Sequence, residues 1–167
     1  MTRLRALIEG LKRVETVKEY PFKRIPAPQS FRGLLSIDVN KCHACGACAH
    51  ACPAKAISVE AGDGVVVVKH LVYRCIFCAW CADICPYNAI TMSSEYELPT
   101  RDMGNLVQLF GQSGVDCREC GATFTSAKAW SEVQKTVSLR EDYSRLCPSC
   151  RALKVSLALA RSRRGWA

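Results

Sequence analysis

Apolar residues recur at helical spacing near the start of the chain. Leu4, Leu7, Ile8, Leu11 and Val14 share one stripe of residues 3–14, with Arg3, Arg5, Lys12 and Arg13 elsewhere on the wheel. This pattern predicts a short amphipathic helix. Gly10 weakens it, so it needs a surface: a protein partner, a membrane interface or the chain's own domain. Pro21, Pro26 and Pro28 then predict an extended strap over Tyr20–Ser30, because proline fixes φ and disfavours helix at the preceding residue. From Leu34 to Met92 the pattern changes to short apolar runs, and those runs repeat. One constant shift along the chain carries Cys42 onto Cys75, Cys52 onto Cys85, Pro53 onto Pro86, Ala56 onto Ala89 and Ile57 onto Ile90. Each half reads as strand, loop, short helix, strand. Ser58–Glu60 and Val65–Val68 flank Gly62-Asp63-Gly64, a hairpin signal. Further on, Ser93–Asp116 reads as a connector with a short helix around Asn105–Phe110. Ser126–Val137 favours a helix capped by Ser126, and Arg151–Arg161 a final helix that runs into a basic tail.

Twelve cysteines sit on this framework in three sets of four. Cys42, Cys45, Cys48 and Cys52 stand as C-x2-C-x2-C-x3-C before Pro53, and Cys75, Cys78, Cys81 and Cys85 repeat the run before Pro86. This is the ligand pattern of a bacterial-type ferredoxin with two [4Fe–4S] clusters, in which the fourth cysteine of each run serves the other cluster. Small neighbours such as Gly46, Ala47, Ala49, Ala79 and Ala82 let backbone N–H groups approach the sulfurs and tune the potential. Cys117, Cys120, Cys147 and Cys150 form two C-x2-C pairs, a zinc-ribbon-like pattern whose spacing is stretched by the intervening helix. One structural Zn²⁺ is the expected occupant, with a rubredoxin-like iron as the alternative. A disulfide framework is the competing explanation of so many cysteines. It fails because residues 1–23 lack the apolar core of a secretory signal, and two-residue separations crowd thiolates around a metal. A reducing, oxygen-poor, cytosolic setting is expected.

The formal charge of +8 counts thiols as neutral. Twelve ligating thiolates bring about −12, while two oxidised cluster cores and one zinc return about +6, leaving roughly +2. Distribution says more. Residues 1–35 carry eight Lys/Arg against three acids, and residues 151–167 carry five against none, around a near-neutral middle. Basic tails of this kind suit a subunit anchored on partners or anionic headgroups. No apolar run is long enough to cross a bilayer. The sequence contains no nucleophile triad, phosphate loop or dinucleotide fingerprint, so no catalytic residue is assigned.

With all four thiolates supplied to each cluster, no iron is left open for substrate, and the chemistry expected is a relay of single electrons. His43 and His50 flank the first run; Ile76, Phe77, Trp80 and Ile84 flank the second. The more polar surroundings predict a higher potential at the first loop. The histidines are expected to face solvent or pack rather than couple protons to electrons.

The chain resembles the iron–sulfur subunit of formate hydrogenlyase and hydrogenase-4, the group 4 membrane-bound [NiFe] hydrogenases, and is similar to the two-cluster subunit I of respiratory complex I. The resemblance rests on Tyr20-Pro21, Phe31-Arg32-Gly33, both cysteine runs, Cys75-Ile76-Phe77-Cys78, the S-x-E-Y-E-L segment Ser93–Leu98 and the terminal C-x2-C pairs. Complex I subunits usually lack that last module, which favours the hydrogenase branch. The resemblance implies that Cys42, Cys45, Cys48 and Cys85 bind one cluster, and that Cys75, Cys78, Cys81 and Cys52 bind the other. It implies a peripheral subunit on the cytoplasmic face of the membrane, relaying electrons from a donor module to the hydrogenase small subunit beside the large subunit. A membrane-surface contact through the N-terminal helix stays one of the three options its apolar stripe leaves open, beside a protein partner and the chain's own domain.

The expected class is therefore α+β, a two-cluster ferredoxin fold with pseudo-two-fold symmetry. Its organisation is residues 1–33 as helix and docking arm, 34–92 as ferredoxin domain, 93–116 as connector, 117–150 as zinc-ribbon-like module and 151–167 as basic tail. The alternatives are the equivalent subunit of a complex I-like or sulfur-reducing complex, a free ferredoxin, and a metal-stabilised nucleic-acid module. The last is disfavoured because aromatic interleaving is missing, and no nucleic-acid partner is expected.

Overall fold

The computed structural model describes Ile8, Phe22, Lys23, residues 25–137 and residues 143–163. Of the helix expected over 3–14, Ile8 is described and is helical; the remainder lies outside the described residues. Of the strap expected over Tyr20–Ser30, residues 25–28 have no regular structure and residues 29–30 form a turn, while Tyr20, Pro21 and Arg24 lie outside the described residues.

Residues from Phe31 onward form one compact unit. Strand β1 (Leu35–Ile37) pairs antiparallel with β4 (Ile90–Met92), and β2 (Ile57–Gly62) pairs antiparallel with β3 (Val65–Leu71). Two short helices, α1 (Ala47–Ala51) and α2 (Trp80–Asp83), follow the cysteine loops. The sequence repeat persists in the pairing: the shift that superimposes the cysteine runs also turns Ile37↔Ile90 into His70↔Ile57, and Leu35↔Met92 into Val68↔Val59. The β2–β3 hairpin turns through Asp63 (φ 51°) and Gly64 (φ 75°), both left-handed, the two-residue turn whose twist matches the flanking strands.

Strand β3 alternates between solvent and core, so Val66, Val68 and His70 point inward. Val66 and Val68 join a core of Leu35, Ala44, Ile57, Cys81 and Ile90. His70 is fully buried; its Nδ1–H donates to Gln108 Oε1 at 3.1 Å, while Nε2 has no partner. Burial pushes its pKa below 6.5. Gly33 is required by close approach: a Cβ there would lie 2.2 Å from the Glu95 carbonyl oxygen, where Gly33 N–H bonds to Ser93 O at 2.8 Å.

The segment expected as a connector departs from expectation. In place of a helix around Asn105–Phe110 there is one 3₁₀ turn at Met103–Leu106, capped by Asp102, and then strand β5 (Val107–Asp116). β5 pairs along the whole of β3, from Leu71↔Val107 to Val65↔Ser113, and continues the sheet in the order β2-β3-β5-β6. The reason is an open edge on β3, whose ladder groups β5 satisfies. β6 (Thr123–Ser126) runs directly into α3 (Ala127–Thr136), whose N-cap is Ser126, as expected. A final helix, α4 (Pro148–Arg163), begins at a proline suited to the first helical position. Leu146, 1% exposed, packs with Cys117 and Cys147 as a second, small core.

Candidate metal centres

The first cysteine run wraps a cavity. Cys42, Cys45, Cys48 and, from the other half of the repeat, Cys85 line it. A second cavity is lined by Cys75, Cys78, Cys81 and Cys52. The loops achieve this with backbone that L-residues rarely adopt. Ala44 (φ 48°), Gly46 (83°) and Lys55 (50°) are left-handed in the first half, and Phe77 (53°), Ala79 (65°) and Asn88 (47°) repeat them at the equivalent positions of the second. Such conformations carry a cost and persist where the surroundings demand them. Here they turn N–H groups onto sulfur: Ala44 N–H donates to Cys42 Sγ and Phe77 N–H to Cys75 Sγ, both at 3.4 Å. Ala56 N–H donates to Cys52 Sγ at 3.2 Å and Ala89 N–H to Cys85 Sγ at 3.4 Å.

Burial and neighbouring sulfurs push Cys48 and Cys81 up to about 11, and burial also raises Cys42 and Cys75. Thiols packed in this way resist ionisation until a cation offsets their charge. The eight sulfurs do not gather to the spacing of a single ion, whereas Cys117, Cys120, Cys147 and Cys150 do: among the described residues, these four place their Sγ atoms within 4.8 Å of one another. Two small cavities lined by four thiols each, with N–H donors aimed at sulfur, fit polynuclear clusters better than lone ions.

The third set fits one tetrahedral ion. Cys120 and Cys147 Sγ lie 3.7 Å apart, close to the roughly 3.8 Å edge of a tetrahedron with metal–sulfur bonds of ~2.3 Å. N–H groups of Cys120 and Cys147 hydrogen-bond Cys117 sulfur and lower its pKa to about 6. Hydrogen bonds shared with Cys147 and Cys120, together with burial, hold Cys150 at about 12. Loading this site therefore releases protons.

Three side chains the sequence did not single out reach the first loop. Gln112 on β5 donates through Nε2 to Cys42 O at 2.6 Å and Val39 O at 3.3 Å. Lys128 on α3 donates through Nζ to Val39 O and Asn40 O, both at 3.1 Å. Tyr87 stacks on His43 at 3.7 Å between ring centroids. Ser126, expected as a cap, also donates its hydroxyl to His43 O while accepting from Ala129 N–H at 3.1 Å. His43 Nδ1 lies 2.8 Å from Lys41 O, a packing role as expected, and His50 is exposed. On the second loop Arg32 donates through Nη1 to Cys78 O at 3.0 Å. Around it Ile76, Trp80 and Ile84 stay exposed.

Residues 41–90 match the 4Fe-4S dicluster domain family, which spans both cysteine runs. Over 158 residues the chain is 33% identical to formate hydrogenlyase subunit 6 of Escherichia coli (strain K12), covering 86% of each protein. The chain belongs to that family of iron–sulfur subunits. As such it is an iron–sulfur subunit of the formate hydrogenlyase type that carries a 4Fe-4S dicluster domain. Among solved structures it is similar to a chain of the membrane-bound sulfane sulfur reductase, an archaeal respiratory membrane complex. That match is 31% identical with a TM-score of 0.42, covering 56% of this chain and 53% of the other. No helix of the described residues is long and apolar enough to cross a membrane.

Proposed function

We propose that this subunit binds two [4Fe–4S] clusters, one held by Cys42, Cys45, Cys48 and Cys85 and the other by Cys75, Cys78, Cys81 and Cys52. One observation carries the reading: the last cysteine of each run lines the other run's cavity. When bound, each cluster takes up and gives back one electron. The protein's part is to hold both sites close through a shared pair of crossed cysteines, to direct N–H donors at sulfur, and to exclude water with the Leu35–Ile90 core. The repeat in strand pairing and in φ supports a pseudo-two-fold relation between the halves.

The partners we assign are a donor module on one side and the hydrogenase small and large subunits, or their complex I-like counterparts, on the other. The place is the cytoplasmic face of a membrane complex, with the N-terminal helix as a surface contact. The chain's family membership and basic termini support this. The four-cysteine module would bind structural Zn²⁺ in a zinc-ribbon-like fold, which its sulfur spacing supports.

Cys52→Ser provides the test. In anaerobically prepared subunit it is expected to alter the EPR signal of the cluster held by Cys75, Cys78 and Cys81, leaving the signal assigned to Cys42, Cys45 and Cys48 in place. Loss confined to the first-run cluster would overturn the crossed assignment. Metal content should approach eight iron and one zinc per chain, an estimate of about full occupancy.

A further inference from the structure

Two cations lie outside the duplicated part of the chain, and each sits on one cysteine loop. Lys128 comes from α3 and bonds the carbonyls of Val39 and Asn40, three and two residues before Cys42. Arg32 precedes β1 and bonds the carbonyl of Cys78. Neither forms an ion pair with a carboxylate among the described residues, whereas nearby Asp38 is engaged by Lys41 at 3.8 Å and Glu132 by Lys135 at 2.8 Å. Each cation therefore keeps its charge beside its loop.

The supports around them are specific. Arg32 is fixed by Gly33, which lies too close to Ser93 and Glu95 to tolerate a side chain, so the Phe31-Arg32-Gly33 motif acquires a physical reason. Lys128 is fixed by the capped start of α3, with Ser126 bonded to His43 O and Gln112 to Cys42 O. The equivalent positions of the second half are Val72, Tyr73, Cys75 and Ile76. Lys128, Ser126 and Gln112 direct their bonds to the first-half carbonyls instead. The two loops, nearly identical in backbone, thus differ in the charged groups laid on them.

Reduction adds an electron to a cluster already surrounded by thiolates, so a nearby positive charge stabilises the reduced form and raises the potential. We propose that Lys128 and Arg32 are separate potential-setting residues, Lys128 for the first-loop cluster and Arg32 for the second. This rests on the two-cluster reading above. Both are positioning residues, since they touch backbone and not sulfur. All three hydrogen bonds lie at the exposed surface, so solvent and salt screen the charges and the effect is modest.

The test is an EPR-monitored redox titration of the full chain, prepared anaerobically at low ionic strength, with cysteine variants assigning each signal. Lys128→Gln is expected to lower the first-loop midpoint alone and Arg32→Gln the second alone. Each shift should be about threefold to tenfold in the oxidised-to-reduced ratio, up to ~59 mV for a one-electron couple. Lys128→Arg and Arg32→Lys should restore the parent values, and the shifts should shrink at high salt. Midpoints that stay put, or that move together in either variant, would overturn the proposal while iron content near eight per chain leaves the cluster reading intact. Material lacking iron would sink both.

Discussion

His70 shows how a single buried residue sets a pH limit on this fold. Its ring is fully enclosed, one nitrogen bonds Gln108 and the other has no partner, and burial holds the folded pKa below 6.5. The unfolded chain then binds the proton more readily than the folded one. The sign follows: the neutral ring's contribution is fully present above about pH 6.5 and is lost as pH falls toward the folded value. Urea unfolding between about pH 7 and pH 5 should show stability declining with acid, and His70→Leu should flatten that slope. A slope unchanged in the variant would assign the acid sensitivity to another group. The cysteines were readable residue by residue because spacing alone encodes their chemistry. Gln112, Lys128 and Arg32 were not, since a lone polar side chain carries no local signal of the carbonyl it will meet far along the chain.

At the level of elements, the helix expected over Ser126–Val137 formed with its predicted cap, because capping is a local contest between a side chain and the backbone. That cap has a second duty, the bond to His43 O, and Ser126 is fully buried. Ser126→Ala should therefore cost more than an ordinary cap, about 2–3 kcal/mol, combining ~1 kcal/mol for the cap with the penalty of an unpaired carbonyl. Chemical denaturation of the metal-loaded chain would measure it; a cost of only about 1 kcal/mol would mean the His43 carbonyl finds water instead and the cap alone is lost. Strand β5 escaped the sequence reading for the opposite reason. Gly111 and Gly114 interrupt its alternation, yet a Cβ on Gly114 would lie 2.3 Å from Thr123 Cγ2, so close packing against β6 selects the residue that weakens the local pattern. Pairing with β3, a strand from much earlier in the chain, supplies what local preference lacks.

For the whole molecule, the consequence of β5 is continuity. The four-cysteine module is joined to the ferredoxin core by a shared sheet and by Gln112, Ser126 and Lys128, rather than held on a free linker. The module's own core is small, centred on Leu146, so under the proposed zinc reading the metal carries much of the module's stability. A zinc chelator at neutral pH should accordingly raise amide exchange across residues 117–126 and 143–150 first, and then across 39–43. The β1–β4 pair should respond last. Uniform loosening, or none at 39–43, would show that the contacts to the first loop survive without the metal. Exposed Leu153, Leu157 and Leu159 on α4 and Ile76, Trp80 and Ile84 at the second loop are surface available to the partners proposed for such a subunit.

The sequence by itself determined the three sets of thiols, the internal duplication, the hairpin at Asp63–Gly64 and the cap of α3, since each is written in spacing or in near neighbours. The tertiary structure alone decided that residues 107–116 become a strand and which cations lie on which loop. Those outcomes depend on an open strand edge and on side chains arriving from distant parts of the chain. Such partners exist only after the chain has closed on itself.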